Sequence, residues 1–314
     1  MKNLTLKNPA YEHLEMGFKE WLQILGYCEM STQNMPAIIR EFLHFLESQP
    51  VKGINELRQQ HIKKYHQYIC ERPNQRRGGG LSNNYLNKHL QSIEKFLEYL
   101  RHRGMESVPT LGIKLEKLNT KEIIPLTEPE IKQLFAVTDK ECDDELQEAI
   151  SARDKVMLVV YYSCGLRRNE GANLDLSDIN LGTRIVHVRK GKNYKERFVP
   201  LNKTNAQYIQ QYIYDYRPLL LKKKHEGSLF IGKYGEKMTG GALYTRLKLL
   251  QQQTPDIALQ QKTIGLHTLR HSIATHLLAA GMDIEKLSRF LGHSSLESTQ
   301  IYTHLVEKET EVMV

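Results

Sequence analysis

The stretch LSNNYLNKHLQSIEKFLEYLR, residues 81–101, sets Leu86, Leu90, Ile93, Leu97 and Leu100 on one stripe at the three- and four-residue spacing of an α-helix. A helix with so continuous an apolar face is stable only when other elements cover that face, so the stripe demands partners. Matching periodicity supplies them upstream, in Phe18, Trp21, Leu22 and Leu25, then Ile38, Phe42, Phe45 and Leu46, then Ile62, Tyr65 and Ile69. The first hundred residues therefore predict a four-helix bundle, with Ser82 capping the last helix and RPNQRRGGG (72–80) as the loop before it. The opposite face of that helix carries Asn84, Lys88, Gln91 and Lys95. Alone, such a face reads as ordinary solvated surface.

Helical periodicity lapses between Met105 and Ile124 and then resumes at LTEPEI, where Thr127 and Glu130 have the spacing of a capping box. The expected organisation is a helical domain over 1–108, a connection over 109–124 and a second domain over 125–314. In that second domain a helix containing DKVMLVVYYSCG precedes RIVHV and RFVPL, two alternating stretches that flank the basic segment RKGKNYKE and predict an antiparallel hairpin. Further helices are expected over Asn205–Tyr216, Gly240–Leu250 and Thr268–Ala279, the last closed by Gly281. The fold class is mainly α with a small antiparallel β-sheet.

At 314 residues the chain is long enough for two cores. Its net charge of +8 and pI near 9.1 favour an acidic partner, with nucleic acid the commonest, although composition alone also admits RNA or an anionic membrane surface. The N-terminus lacks an apolar signal region, and the run VMLVVYY (Val156–Tyr162) is too short to span a bilayer, so a cytoplasmic protein without a membrane partner is expected. Four scattered cysteines, Cys28, Cys70, Cys142 and Cys164, without CxxC spacing suit reduced thiols.

Basic residues gather in GLRRNE (165–170), RKGKNYKE (189–196) and HTLRH (267–271). Each is an ordinary surface patch if read alone. Arg167 and Arg270, delivered from different elements, form a pair able to clamp one phosphodiester bidentately and neutralise its transition-state charge. His267 shares a helix face with Arg270, from which His271 is expected to diverge. The i, i+4 pair His267 and His271 has a spacing that zinc accepts, but Arg270 between them opposes a dication and no acidic or thiol cluster completes a ligand set; no metal is expected. No GxxxxGK[ST] and no strand followed by GxGxxG occurs, so no nucleotide cofactor is expected either. Cutting a phosphodiester reversibly without them requires a protein nucleophile that stores the bond as an ester.

Tyr302 is one of sixteen tyrosines and taken alone reads as packing. It lies in LGHSSLESTQIYTHL (291–305), where Ser294 and Glu297 form a second capping-box pattern after His293. Ile301 and Leu305 mark the apolar side of the resulting helix, and Tyr302 lies about 100° round from Ile301, which predicts a hydroxyl pointing away from the core.

Taken together, these positions resemble the tyrosine recombinase (phage integrase) family, in its Xer-like branch, whose catalytic pattern is Arg, Lys, His-x-x-Arg, His and Tyr. The matches are Arg167 in GLRRNE, Lys192 in RKGKNYKER, His267 and Arg270 in HTLRHSIATHLL, His293 in LGHSS and Tyr302 in STQIYTHL. The resemblance covers essentially the whole chain, since the bundle also resembles the family's core DNA-binding domain. Two positions depart from the pattern: Asn193 stands in place of the second glycine after the lysine, with Lys190 the alternative to Lys192, and Gly171 stands where the family carries an apolar residue.

The resemblance implies a C-shaped clamp on double-stranded DNA, in which Tyr302 attacks the phosphate to leave a 3′-phosphotyrosyl link and a free 5′-hydroxyl. Arg167 and Arg270 would hold the non-bridging oxygens, and Lys192 would protonate the leaving oxygen. His267 would assist at the nucleophile and His293 would bond the phosphate. It further implies a Holliday junction made by a homotetramer on two sites, with an accessory protein as a further partner, and a DNA surface that includes Asn84, Lys88, Gln91, Lys95, Lys190 and Lys195. Chromosome dimer resolution and integration, excision or inversion of an element are all open, and no added arm-binding domain is expected. A catalytically silent DNA-binding or architectural protein on the same scaffold and a relaxing, topoisomerase-like enzyme are the alternatives.

Overall fold

The computed structural model describes residues 4–51, 53–75, 78–117, 124–139, 144–189, 196–221, 227–293, 298–300 and 302. The chain divides into two compact units, Met1–Lys121 and Glu122–Val314.

The first unit is built on α1 (Pro9–Ile24), α2 (Glu29–Glu47), α3 (Gln59–Glu71) and α4 (Asn83–His102). The capping expected at Ser82 is present, its hydroxyl accepting from the Tyr85 amide. All five stripe residues of α4 are buried, and Leu86, Ile93, Leu97 and Leu100 share one core with Phe18, Leu22, Phe42, Ile62 and Tyr65 from the other helices. Aromatic rings lock this core, with Phe18 edge-on to Phe96 (centroids 5.4 Å) and Phe42 edge-on to Tyr65 (5.0 Å). Leu25, expected in the stripe, is instead 50% exposed, because α1 has already ended and Leu25 is its C-cap.

The stretch after α4 lies along the bundle. Met105, Val108, Leu111 and Ile113 pack on the core, and the Asn87 side chain pairs with the Glu116 backbone like a neighbouring strand, donating to its carbonyl (2.9 Å) and accepting from its amide (2.8 Å). Residues 109–117 are thus bound to the first unit.

The second unit contains α5 (Glu128–Val137), α6 (Glu145–Leu158), α7 (Arg168–Ala172), β1 (Ile179–Asn180), β2 (Ile185–Val188), β3 (Arg197–Pro200), α8 (Lys203–Gln211), α9 (Arg217–Leu220), α10 (Gly240–Gln252), α11 (Ile257–Gln261), α12 (Leu266–Ala279) and α13 (Ile284–Leu291). The Thr127–Glu130 capping box opens α5 as expected. The run Val156–Tyr161 is entirely buried, and it passes from α6 into a π-helical turn over Val159–Ser163 that delivers the chain to Gly165 and Arg167. Such turns are favoured where a helix must be re-aimed at a site. The expected hairpin strands pair antiparallel, Val186 opposite Val199 and His187 opposite Phe198, so the valines face the core. A two-residue strand, β1, adds a third member, too short to leave an alternation in the sequence. Among the described residues no helix is long and apolar enough to cross a membrane.

Gly171 is explained by its neighbour. A Cβ there would lie 2.7 Å from two ring carbons of Tyr161, whose hydroxyl donates to the Arg168 carbonyl (2.9 Å). The side-chain volume missing from α7 is supplied by the tyrosine ring, so the position beside Arg167 is filled. Gly171→Ala should gain about 0.5–1 kcal/mol in helix propensity and lose about 1–3 kcal/mol to overpacking. The expected net effect is a lower urea-unfolding midpoint, and the penalty should disappear in a Tyr161→Leu background; an equal penalty in both backgrounds would contradict the packing account.

Candidate active site

The π-turn at the end of α6 places Arg167 as the N-cap of α7, and Glu170, one turn later, folds its carboxylate back to that terminus. The Glu170 carboxylate accepts from the Arg167 amide (2.8 Å) and from Arg167 Nη1 (2.8 Å). Arg197, brought by β3, donates to both oxygens (3.1 and 2.8 Å), and Arg270 Nη1, from the first turns of α12, stands 4.0 Å away. Burial alone raises the Glu170 pKa; the hydrogen bonds and charges of Arg197 and Arg167 reverse this and hold it at about 2.

The same arginines bind the C-terminal end of α13. Arg197 Nε donates to the Phe290 carbonyl (2.9 Å), Arg270 Nη2 to Leu291 (2.8 Å) and Arg167 Nη2 to Gly292 (2.9 Å), while Arg270 Nη1 also donates to Gly165 (2.6 Å). These are the carbonyls a helix leaves without partners, at its electronegative end. Gly292 meets two demands there, since it closes α13 at φ 66° and a Cβ on it would lie 2.9 Å from Arg197 Cδ. Arg270 is only 3% exposed, and burial, then the neighbouring Arg167, lowers its pKa to about 10.

Just past Gly292, His293 Nδ1 shares a hydrogen bond with Thr299 Oγ1 (2.8 Å), and its ring lies nearly parallel to that of Tyr302 (centroids 6.2 Å, 10°). Burial, then Arg270, Arg167 and Arg197, lowers the His293 pKa to about 4, so the imidazole is neutral at physiological pH. The structure therefore brings together Arg167, Arg270, His293 and Tyr302 from separate stretches of the chain. His267 opens α12 on an exposed surface; partial burial and the charges of Arg270, Arg168 and Arg167 depress its pKa.

Two expectations need correction. Tyr302 does not present its hydroxyl outward: it is 2% exposed and packs with Ala274, Leu287 and Leu291, because α12 and α13 cover the face that an isolated helix would leave free. Burial raises its pKa, against the lowering effect of Arg270 and Arg167. His271 does not diverge from the site, for its ring stands 5.5 Å from that of Tyr302. The His267 and His271 pair weighed as metal ligands thus differ in environment, and no cluster of three or more potential ligands forms among the described residues.

Lys190, Lys192 and Lys195 lie outside the described residues, as do Cys142, Ser294, Glu297, Ile301 and Leu305. Arg189, the residue after β2 on the way to the lysines, is ion-paired to Asp175 (2.5 Å) and Asp178 (2.6 Å). In the first unit Asn84, Lys88 and Gln91 are exposed, whereas Lys95 pairs with Glu98 (2.5 Å) and stands over the Tyr27 ring. Gln91 and Lys95 line a groove of about 480 Å³ together with Glu94, Glu98 and Arg101, so this face is of mixed charge.

Glu170, Arg197, His271 and Thr299 are the site residues that sequence reasoning missed. Only Glu170 left a signal, its three-residue spacing from Arg167. Glu170→Gln leaves Arg197 and Arg167 without their carboxylate and should cost about 3–5 kcal/mol of unfolding free energy at neutral pH. Because the folded pKa is depressed, the carboxylate's contribution is fully present above the ordinary value of 4.5 and is lost as pH falls toward about 2. The gap between wild type and variant, followed by chemical unfolding, should close across that window; a gap that persists at pH 2 would contradict the assignment.

With this geometry established, comparison with known proteins places the chain. The phage integrase family model matches residues 125–309. Tyrosine recombinase XerD of Oceanobacillus iheyensis is 34% identical over 236 residues, 74% of this chain and 75% of that one. Tyrosine recombinase XerD of Staphylococcus saprophyticus is 32% identical over 276 residues, 88% of each chain. Among solved structures, the XerH site-specific recombinase bound to palindromic difH substrate in a post-cleavage complex shares the fold, with a TM-score of 0.68 at 19% identity over 96% of this chain and 83% of that one. The chain belongs to the phage integrase family, as a Xer-like, tyrosine-type site-specific recombinase.

Proposed function

We propose that Tyr302 is the nucleophile of this recombinase and that Arg167, Lys192, His267, Arg270 and His293 complete its catalytic set. The observation that carries this reading is the gathering of Arg167, Arg270, His293 and Tyr302 at the end of α13. In the proposed reaction the Tyr302 oxygen attacks a DNA phosphorus, the bond to the 5′-oxygen breaks, and a 3′-phosphotyrosyl ester remains. Arg167 and Arg270 bind the non-bridging oxygens as charge develops, and His293 hydrogen bonds the phosphate. Lys192 gives a proton to the departing 5′-oxygen, with Lys190 the alternative donor, and His267 assists at the nucleophile. Attack by a 5′-hydroxyl of the partner duplex reverses the step, so neither nucleotide, metal nor other cofactor is consumed.

The working assembly in this reading is a homotetramer on two paired duplex sites, proceeding through a Holliday junction with an accessory protein as a further partner. The N-terminal helical region, with the exposed Asn84, Lys88 and Gln91 of α4, acts as the core DNA-binding domain, and residues from 125 onward form the catalytic domain. Lys95 contributes less charge because Glu98 offsets it, while Lys190 and Lys195 add to the phosphate-binding surface. The enzyme acts in the cytoplasm, on sites used either to resolve chromosome dimers or to integrate, excise or invert a mobile element.

A nicked suicide duplex that traps the cleaved strand tests the reading. The intact chain should form a denaturant-stable protein–DNA adduct, Tyr302→Phe none, and Arg270→Ala an adduct formed roughly 10²–10³-fold more slowly. An adduct that survives Tyr302→Phe would remove the nucleophile assignment. Failure of the intact chain to form any adduct on its cognate site would leave a DNA-binding protein on the same scaffold.

A further inference from the structure

We propose that His271 accepts the phenolic proton of Tyr302 when that oxygen attacks the phosphate. The inference rests on Tyr302 being the nucleophile and concerns a residue outside the six-member set given above.

Two imidazoles stand against the Tyr302 ring. That of His293 has its Nδ1 engaged with Thr299, whereas His271 Nδ1 is enclosed and has no hydrogen-bond partner among the described residues. Leaving a buried imidazole nitrogen unpaired costs about 1–3 kcal/mol, and of the unpaired buried atoms among the described residues, which include His89 Nε2 in the first unit, that of His271 belongs to a ring set against Tyr302. The proton on Tyr302 has few other destinations. Arg270 favours the ionised phenol and would stabilise a developing phenolate, but a guanidinium has no lone pair to receive a proton. Arg167 is excluded for the same reason, and the hairpin lysine must arrive protonated to serve as the acid. His267 assists at the nucleophile in the proposed reaction, but it is exposed at the start of α12 and makes no ring contact with Tyr302 among the described residues, so it is not the acceptor.

His271 meets the remaining requirements. Burial first, then His267 and Arg270, lowers its pKa to about 4, so it is neutral and able to accept. Its basicity in that state is low, but a bound phosphodiester brings a negative charge that offsets Arg270 and Arg167 and raises the affinity of the imidazole for a proton. As the bond from Tyr302 oxygen to phosphorus forms, the phenolic proton passes to Nδ1. As the bond from phosphorus to the 5′-oxygen breaks, that oxygen takes the proton of the general acid. On religation the imidazolium returns its proton to the tyrosine, and the acid recovers its own from the attacking hydroxyl.

The test uses the full chain with tyrosine or 2,3-difluorotyrosine at position 302, the fluorinated phenol being more acidic and less dependent on a base. Single-turnover cleavage of the suicide duplex is measured for wild type, His271→Asn, His271→Phe, His293→Phe and His267→Gln, with gel-shift binding as the control for folding. The His271 variants should bind DNA normally, cleave roughly 10²-fold more slowly with tyrosine, and come within a few-fold of wild type when both carry difluorotyrosine. His293→Phe, which removes the other imidazole at the ring, should gain no such recovery. Wild-type rates in both His271 variants, an undiminished defect with difluorotyrosine, or recovery confined to His267→Gln would overturn the inference while leaving Tyr302 as nucleophile. An adduct formed by Tyr302→Phe would instead remove the reading on which it rests.

Discussion

Among the described residues, the carboxylate of Glu170 is the anion that holds three guanidinium groups together, and the rest of the site depends on it. Two unit charges about 4 Å apart at an effective dielectric of about 20 interact by roughly 4 kcal/mol. Arg167, Arg197 and Arg270 could not be held together in a poorly solvated space by packing alone. Glu170 binds the first two directly and stands within 4.0 Å of the third. Three positive groups and one negative leave two positive charges in excess. That surplus is what a phosphodiester, with one negative charge, requires of a binding site, and it explains why burial and a like-charged neighbour lower the Arg270 pKa. The carboxylate therefore does two opposed things, making the cluster stable enough to exist and leaving it positive enough to bind.

The remaining charge is met, in the chain without DNA, by backbone dipoles. The carbonyls of Phe290, Leu291 and Gly292 point at the arginines from the end of α13, and His293 and Tyr302 follow within the same terminal stretch. An anion binding Arg167 and Arg270 bidentately competes with those carbonyls for the same donors. Phosphate binding and the position of the terminal stretch that carries His293 and Tyr302 would thus be coupled through shared hydrogen bonds. Burial keeps the Tyr302 phenol protonated in this arrangement, as the proposed nucleophile would require before its substrate is placed.

How much of this could be read from residue order depends on the kind of feature. The α4 stripe, the Thr127 capping box and the hairpin strands were legible because periodicity and capping are local. The arginines, His267, His293 and Tyr302 were legible as a set only through their resemblance to a known pattern. Arg197 was not legible at all: it occupies an inward position of β3, where alternation calls for an apolar side chain, and its partner Glu170 lies 27 residues away. His271 and the Tyr302 hydroxyl were placed by helical geometry as if each helix stood alone. Once α12, α13 and Tyr302 pack together, a side of the chain that would face solvent in isolation becomes buried. Gly171 looked like a defect in the same isolated view, and only the Tyr161 ring across from it shows why the side chain had to be absent.

These failures share a cause. Periodicity describes the faces of helices, and this site is made of their ends. Arg167 caps the start of α7, His267 and Arg270 occupy the first turns of α12, and Gly292 and His293 follow the end of α13. Helix ends carry the amides and carbonyls that intrahelical bonding leaves over, and nothing in an apolar pattern records how those groups are satisfied. Here they are satisfied by the site's own side chains: Glu170 takes the amide at the start of α7, and the arginines, which would bind the phosphate in the proposed reaction, take the carbonyls at the end of α13. The groups that complete the fold in the absence of DNA and the groups that would bind DNA are therefore largely the same side chains. Their dual use follows from placing a cationic site where helices terminate, since an arginine cluster there always has carbonyl oxygens to hold until a better acceptor arrives.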